Sequence, residues 1–408
     1  MKKTNGEKPA GWSYSEPYNA TACTECGECL MRCPVMRLDA HAAVREMREL
    51  RAGRPGRHVL RRCESCMACN MVCPWRANPA QLFLDTFHKH LSEHGTPAWA
   101  EYFQPHAEKN FRTFVVDRMP AAERDMLRRW ADDSPCDEFT YPGCNMCVTP
   151  YITRASFLKD LNIRGGLHVC CGEMYFRTGQ FERLAEQARA LNAFVKKLGA
   201  KKMMILCTAG YNLFTNILPR HGFDADIEIT SYLPWLYGLI ENGDIKVKRP
   251  LDMAVTIQES CHAKVFGQEY WELPRRILER LGAQVKEMHE TPECALCCGI
   301  GGGFPARSGY NPVDVARSTM RITHRAVSTG ADAIVTYCSG CMQSLSAGMS
   351  VYPVKKPVYH LVQAVQAAAG ERPALDTNRR RGALMFRGVM QNQTPLLLSN
   401  KRKGIKSI

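Results

Sequence analysis

Apolar residues recurring three and four apart mark the helices of this chain, and short unbroken apolar runs mark its strands. Ala43, Val44, Met47 and Leu50 predict a short helix between two groups of cysteines, and the Gly- and Pro-rich stretch 51–57 predicts a turn after it. Residues 80–135 alternate apolar and charged positions in helical fashion, through Leu82, Phe83, Phe87 and Leu91 and then across 121–130. The cleanest stripe is Phe181, Leu184, Ala185, Ala188, Leu191, Phe194, Val195 and Leu198, ahead of a strand over 203–206. Val313, Ala316, Met320 and Ala326 repeat that arrangement ahead of a strand over 333–337.

The repetition extends to chemistry. From about residue 138, one unit carries Cys144, then Cys170-Cys171-Gly172, then Cys207; a second carries Cys261, then Cys297-Cys298-Gly299, then Cys338-Ser-Gly-Cys341. In each, a helix precedes a β-type run that ends at a cysteine. Ligands at strand ends belong to the α/β layout, where sites lie at the carboxyl ends of strands. Two similar lobes are expected, related by a pseudo-twofold axis.

Composition sharpens this. A chain of 408 residues with 45% hydrophobic and 23% charged residues is long enough for two or three cored domains. Its 20 cysteines, with no apolar export segment after Met1-Lys2-Lys3, argue for metal or redox chemistry in a reducing compartment rather than for disulfides. No stretch reads as a membrane span, and a cytoplasmic protein is expected. The formal charge of +14 treats every cysteine as neutral. A tetrathiolate iron–sulfur cluster carries roughly −2, so bound clusters would cut that excess, and nucleic-acid binding is discounted. Half of the charge sits in 371–408, with nine Lys or Arg against two Asp or Glu (9 − 2 = +7). This stretch has little periodicity and reads as a solvated basic tail, or as an arm that orders on an acidic partner or anionic membrane.

Cys23, Cys26, Cys29 and Cys33-Pro34 form C-x-x-C-x-x-C-x-x-x-C-P, repeated as Cys63, Cys66, Cys69 and Cys73-Pro74. Three cysteines at three-residue steps wrap a loop around a cube face, and the fourth ligates the other cluster. Cys23, Cys26, Cys29 and Cys73 are therefore expected to hold one [4Fe–4S] cubane, and Cys63, Cys66, Cys69 and Cys33 the other. Such a pair conducts single electrons but has no open coordination site, so substrate chemistry must lie elsewhere.

The second repeat unit, with Cys261, Cys297, Cys298, Cys338 and Cys341 and the Gly299–Gly303 run, resembles the cysteine-rich CCG domain of heterodisulfide reductases. The whole order resembles the D-type subunit of the membrane-linked enzyme, the K-type subunit of sulfite-reduction membrane complexes and the iron–sulfur subunit of glycolate oxidase. The resemblance implies a noncubane [4Fe–4S] cluster on those five cysteines that cleaves disulfides in two one-electron steps. It also implies electron supply from a membrane cytochrome b-type subunit or a soluble flavoprotein. His262 is either a proton donor to a departing thiol or a structural hydrogen bonder. The first unit departs from the pattern: Gly210 stands where a fifth cysteine would be, so Cys144, Cys170, Cys171 and Cys207 could hold an altered cluster (with Cys147 or Cys136 standing in), zinc, or nothing.

The expected architecture, α+β and α/β, is an arm (1–20), a helical two-cluster ferredoxin-like domain (21–137), a degenerate CCG lobe (138–250), a complete CCG lobe (251–370) and a basic tail (371–408). The expected function is an iron–sulfur disulfide reductase subunit, either free in the cytoplasm or peripheral on the cytoplasmic face of a membrane complex. The rival is an electron-transfer-only subunit of a flavin-dependent 2-hydroxy acid dehydrogenase. For that branch the resemblance implies a Gly-Pro-Arg-Gly-Arg-type segment, where this chain reads Arg51-Ala-Gly-Arg-Pro-Gly-Arg57.

Overall fold

The computed structural model describes residues 16–290 and 292–404; most of the expected N-terminal arm, 1–15, lies outside that range. Helix α1 (Ala40–Arg51) forms between the cysteine groups, N-capped by the Asp39 side chain, which accepts from the Ala42 amide at 2.9 Å. It buries Ala43, Met47 and Leu50. The turn over 51–57 is fixed from inside: the buried Glu46 carboxylate accepts the amides of Arg57, His58 and Val59 at 2.7–2.8 Å. Helix α2 (Pro79–His94) starts with Pro at N1 and buries Leu82, Phe83, Phe87 and Leu91. Helix α3 (Ala121–Trp130) leads to the first sheet.

That sheet comprises β1 (Glu138–Tyr141), β2 (Lys202–Ile205) and β3 (Glu228–Ser231), all parallel, in the order β1-β2-β3, with Met203 between Phe139 and Ile229. Helix α4 (Phe181–Leu198) precedes β2 and ends at Gly199, whose φ of 63° closes the helix. The second sheet holds β4 (Ala254–Gln258), β5 (Gln284–Val285), β6 (Ala333–Thr336) and β7 (Val358–His360), again parallel, in the order β5-β4-β6-β7. Helix α5 (Gln268–Arg280) links β4 to β5, α6 (Pro312–Ser328) precedes β6, and α7 (Ser339–Val351) follows it. All four residues of β6 are buried, as a central parallel strand covered on both faces requires. A mixed helix-and-sheet architecture with parallel sheets is thus what the sequence predicts, compatible with two similar lobes.

The tail differs from expectation. Residues Leu375–Asn392 form helix α8, packed along α7. Gly382 lets it approach the Ser346 backbone, and Gly388 sits against Tyr102 and Phe114. Buried polar contacts hold its first half, and most of its apolar residues fall in the second. Asn378 donates to the Val358 carbonyl and accepts from Tyr151 Oη, both at 2.7 Å, and Arg381 pairs with buried Glu123 at 2.5 Å. Beyond the helix, Arg402–Lys403 pairs antiparallel with Thr96–Pro97. Hydrophobic periodicity misses this helix because small residues and paired charges seat it.

Candidate functional site

The two ferredoxin-type loops share one backbone device. Glu25 and Gly27 in the first, and Ser65 and Met67 in the second, adopt left-handed conformations with φ of 60°, 76°, 48° and 64°. Three of these four are not glycine, a strain of about 1–3 kcal/mol each that persists where the surroundings over-determine the geometry. Cys23, Cys26, Cys29 and Cys73 line one small cavity, with Trp75 at its edge. Cys26 is exposed and Trp75 is 53% exposed, so this cavity faces the surface. Of the other four, Cys33, Cys63 and Cys66 are buried and Cys69 is half-buried. Burial and then the Cys66 charge push Cys33 up to about 12, and burial and then Cys63 push Cys69 well above its ordinary value. The amides of Met36 and Ala77 point at the sulfurs of Cys33 and Cys73, each at 3.4 Å.

In the second α/β unit the cysteines come from strand ends. Cys261 follows β4, Cys338 is the N-cap of α7, and Cys341 lies in its first turn. Cys297 and Cys298 precede Gly299, whose φ of 113° and contact with Thr319 of α6 leave no room for a Cβ. All five are buried in one group, which Cys207 and Cys66 join. The Gly301 amide donates to Cys297 Sγ at 3.3 Å. Hydrogen bonds from the Cys261 and Cys298 thiols draw Cys297 well below its ordinary value, and bonds from Cys207 and Cys341 do the same for Cys338. Cys261, Cys298 and Cys341 move the opposite way, chiefly because each gives its hydrogen to a neighbouring sulfur.

The countercharges were not visible in the cysteine pattern. Arg177, 1% exposed, donates to Cys261 Sγ at 3.1 Å, to the Glu64 carbonyl at 2.7 Å and to Glu173 at 3.0 Å. Burial opposes its charge, but Cys261, Glu173, Cys297 and Cys66 hold it protonated. Lys264 Nζ donates to the Cys66 and Ala295 carbonyls at 3.1 and 3.0 Å. These contacts fasten the second ferredoxin loop to the second α/β unit, where Gly301 allows the close approach to Glu64. His262 Nδ1 meets Asn212 Nδ2 at 2.9 Å and its Nε2 meets Glu173 at 3.2 Å. Burial works against the Glu173 carboxylate, yet the His262 hydrogen bond and Arg177 keep its pKa below the usual value. Glu173 and Arg177 stand four apart directly after Cys170-Cys171-Gly172, a spacing that could have flagged them.

The first unit splits its thiols. Cys144 and Cys170 lie 3.5 Å apart, and the Gly172 amide donates to Cys170 Sγ at 3.4 Å. Buried Arg112 stays charged against desolvation because Cys144, Cys170 and Glu173 surround it. Cys171 is buried in the apolar core beside the first sheet. Cys207, at the end of β2, turns the other way: its sulfur is 4.0 Å from Cys338 Sγ. Gly210 occupies the turn where Cys341 sits in the second unit. Cys147 is buried near Cys144, whereas Cys136 lies near Arg164 and Asn162 at the edge of the sheet. Among the described residues, no three His, Cys, Asp or Glu side chains are arranged to hold a single metal ion.

A cavity of about 430 Å³ opens over the second cysteine group, touching Cys261, Cys297, Cys298, Cys338, Cys341 and His262. A polynuclear iron–sulfur group fits this donor set. Five crowded, buried thiols cannot all ionise unaided; a cationic group can take their protons' place, and N–H···S donors and a buried guanidinium would balance the resulting charge.

Comparison with known proteins agrees. A 4Fe–4S dicluster domain family matches residues 19–76, and a cysteine-rich CCG domain family matches residues 255–346. The chain is 26% identical to the D-type subunit of dihydromethanophenazine:CoB–CoM heterodisulfide reductase from Methanosarcina mazei, over 76% of this chain and 77% of that one. It is 26% identical to an uncharacterized iron–sulfur protein of Methanocaldococcus jannaschii, over 78% of this chain and 66% of that one. It is 25% identical to EtfAB:quinone oxidoreductase of Syntrophomonas wolfei, over 70% of this chain and 43% of that protein. The chain thus spans only part of several relatives. It is an iron–sulfur protein carrying a dicluster domain and a CCG domain, and it is related to the D-type subunit of heterodisulfide reductase. No helix among the described residues is long and apolar enough to cross a membrane.

Proposed function

We propose that this chain is the iron–sulfur subunit of a larger redox complex and reduces a sulfur–sulfur bond at its second CCG site. The observation that carries this reading is the buried group in which Cys66, from the second ferredoxin loop, packs with Cys261, Cys297, Cys298, Cys338 and Cys341 at the floor of an open cavity. Bound there, the clusters would supply single electrons and iron sites for substrate sulfur. Cys23, Cys26, Cys29 and Cys73 would hold the outer cubane, Cys33, Cys63, Cys66 and Cys69 the inner one, and the five CCG cysteines a noncubane [4Fe–4S] cluster.

The overall reaction is RS–SR′ + 2 e⁻ + 2 H⁺ → RSH + R′SH, with the electrons arriving one at a time. Persulfides or trisulfides on a carrier fit the same balance. Electrons enter at the exposed Cys26–Trp75 edge from a cytochrome b-type or flavoprotein partner, which makes the chain a peripheral subunit on the cytoplasmic side. Asn212 donating to His262 Nδ1 leaves the proton on Nε2, beside Glu173 and within the cavity wall. That N–H can donate a hydrogen bond to a departing thiolate, whose proton is drawn from water at the open cavity. Arg177 holds the charge of Cys261 and Cys297 as electrons accumulate.

A second reading, a conduit that breaks no bond, draws on the likeness to EtfAB:quinone oxidoreductase. Turnover of a disulfide with a one-electron viologen donor separates the two. Cys341→Ser should abolish that turnover and leave both cubanes reducible; unimpaired turnover in this variant would remove the site from Cys341, and no turnover by the unaltered chain would favour the conduit.

A further inference from the structure

The cavity over the second cysteine group, about 430 Å³, is larger than the chemistry of a sulfur–sulfur bond needs. Its charged lining residues, Arg112, Glu173 and Arg177, sit among the cysteines. From there outward the walls come from α6, α7 and α8 and are apolar: Ala316, Met320, Val351, Met385, Val389 and Met390. At the mouth, Val313, Phe386 and Met390 are 54%, 41% and 48% exposed, and Leu398 nearby is 95% exposed. Soluble surfaces seldom leave such side chains grouped without a use.

The stretch 371–408, which reads from sequence as a solvated tail, supplies this outer wall. Helix α8 is seated by Arg381–Glu123 and by Gly382 against α7, and it turns its methionines and Phe386 towards the opening. A volume of about 430 Å³ lies in the range of drug-sized ligand sites, and its inner part faces the cysteines. A small hydrophilic thiol would leave the outer walls wet. An apolar chain would cover them.

We propose that the substrate is a sulfur compound bearing a long apolar chain, with the chain lying between α6, α7 and α8 and the sulfur end at Cys298 and Cys341. The sulfur end rests on the reductase reading above; the chain site does not depend on it. A protein partner covering the mouth is the competing occupant, and it predicts no dependence on chain length.

Two ladders test this on the anaerobic holoprotein. n-Alkanethiols of two to ten carbons are followed by their effect on the oxidised cluster spectrum, and n-alkanols of the same lengths by calorimetry. Affinity should rise about fourfold per methylene until the channel is filled. Val389→Trp, with Ala316→Trp as the alternative plug, should flatten the rise while iron content is retained. A flat dependence in both ladders overturns the proposal. If alkanols climb steeply but no thiol alters the spectrum, the chain site stands and the reductase reading falls. If ethanethiol alters the spectrum and both ladders are flat, the reverse holds.

Discussion

In the second α/β unit five cysteines, a buried arginine and a ferredoxin loop meet under an open cavity; in the first, a smaller parallel sheet delivers four cysteines that part company. Cys144 and Cys170 pair beside Arg112, while Cys207 leans across to Cys338. Both units end parallel strands in cysteines and follow their Cys-Cys pair with a left-handed glycine. The backbone plan is shared, and the difference lies in what each set of loops touches. The second unit has its fifth thiol, Cys341, in the buried group that Cys66 of the ferredoxin loop joins; the first has Gly210 at that turn and holds Cys170 beside Arg112 instead. Chemistry here is set by neighbours added to a common scaffold.

The largest test of that contrast is Cys298→Ser against Cys170→Ser. The first should abolish disulfide reduction with both cubanes still reducible, and the second should retain most of it, measured as viologen-linked turnover. Equal losses would erase the distinction between the units. Next comes the pair of buried arginines. Arg177→Met leaves Cys261 without its guanidinium and Glu173 with His262 alone, and should cost about 3–5 kcal/mol in denaturant unfolding of the holoprotein. It should also shift the second-site spectrum. Arg112→Met should destabilise comparably and leave that spectrum unchanged.

Cys207→Ser sharpens the boundary between the units. Because its sulfur lies 4.0 Å from Cys338 Sγ, its loss should alter the oxidised second-site spectrum, whereas Cys144→Ser should not. The smallest effects concern glycines. A Cβ at Gly301 would stand 2.8 Å from Cys297 Sγ and 2.9 Å from the Glu64 carbonyl, so Gly301→Ala should slow turnover by prising the ferredoxin loop from the site. Gly172→Ala, at φ 76°, should cost about 1–2 kcal/mol of stability and little turnover.

Much of this was legible in the chain. The cysteine spacings, the helix over Ala43–Leu50, the stripe of α4 and the strands before Cys207 and Cys338 all follow from local pattern, since each depends on residues a few positions apart. What escaped depends on distant approach. Arg177 matters because it reaches Glu64 and Cys261, more than 80 positions away in either direction. Cys207 belongs with Cys338 only because two sheets bring their strand ends together. Helix α8 escaped because Asn378, Arg381 and Gly382 seat its first half, and its apolar residues Met385, Phe386, Val389 and Met390 fall in its second half, where they line the cavity.

The central claim, that substrate sulfur meets the second cysteine group, is tested most directly by electron paramagnetic resonance of the oxidised, anaerobically purified protein with and without a thiol. The account predicts a paramagnetic signal in the oxidised state that changes when the thiol binds and is lost in Cys298→Ser. Signals only from reduced cubanes, indifferent to thiols, would contradict it and move the bond-breaking step to a partner.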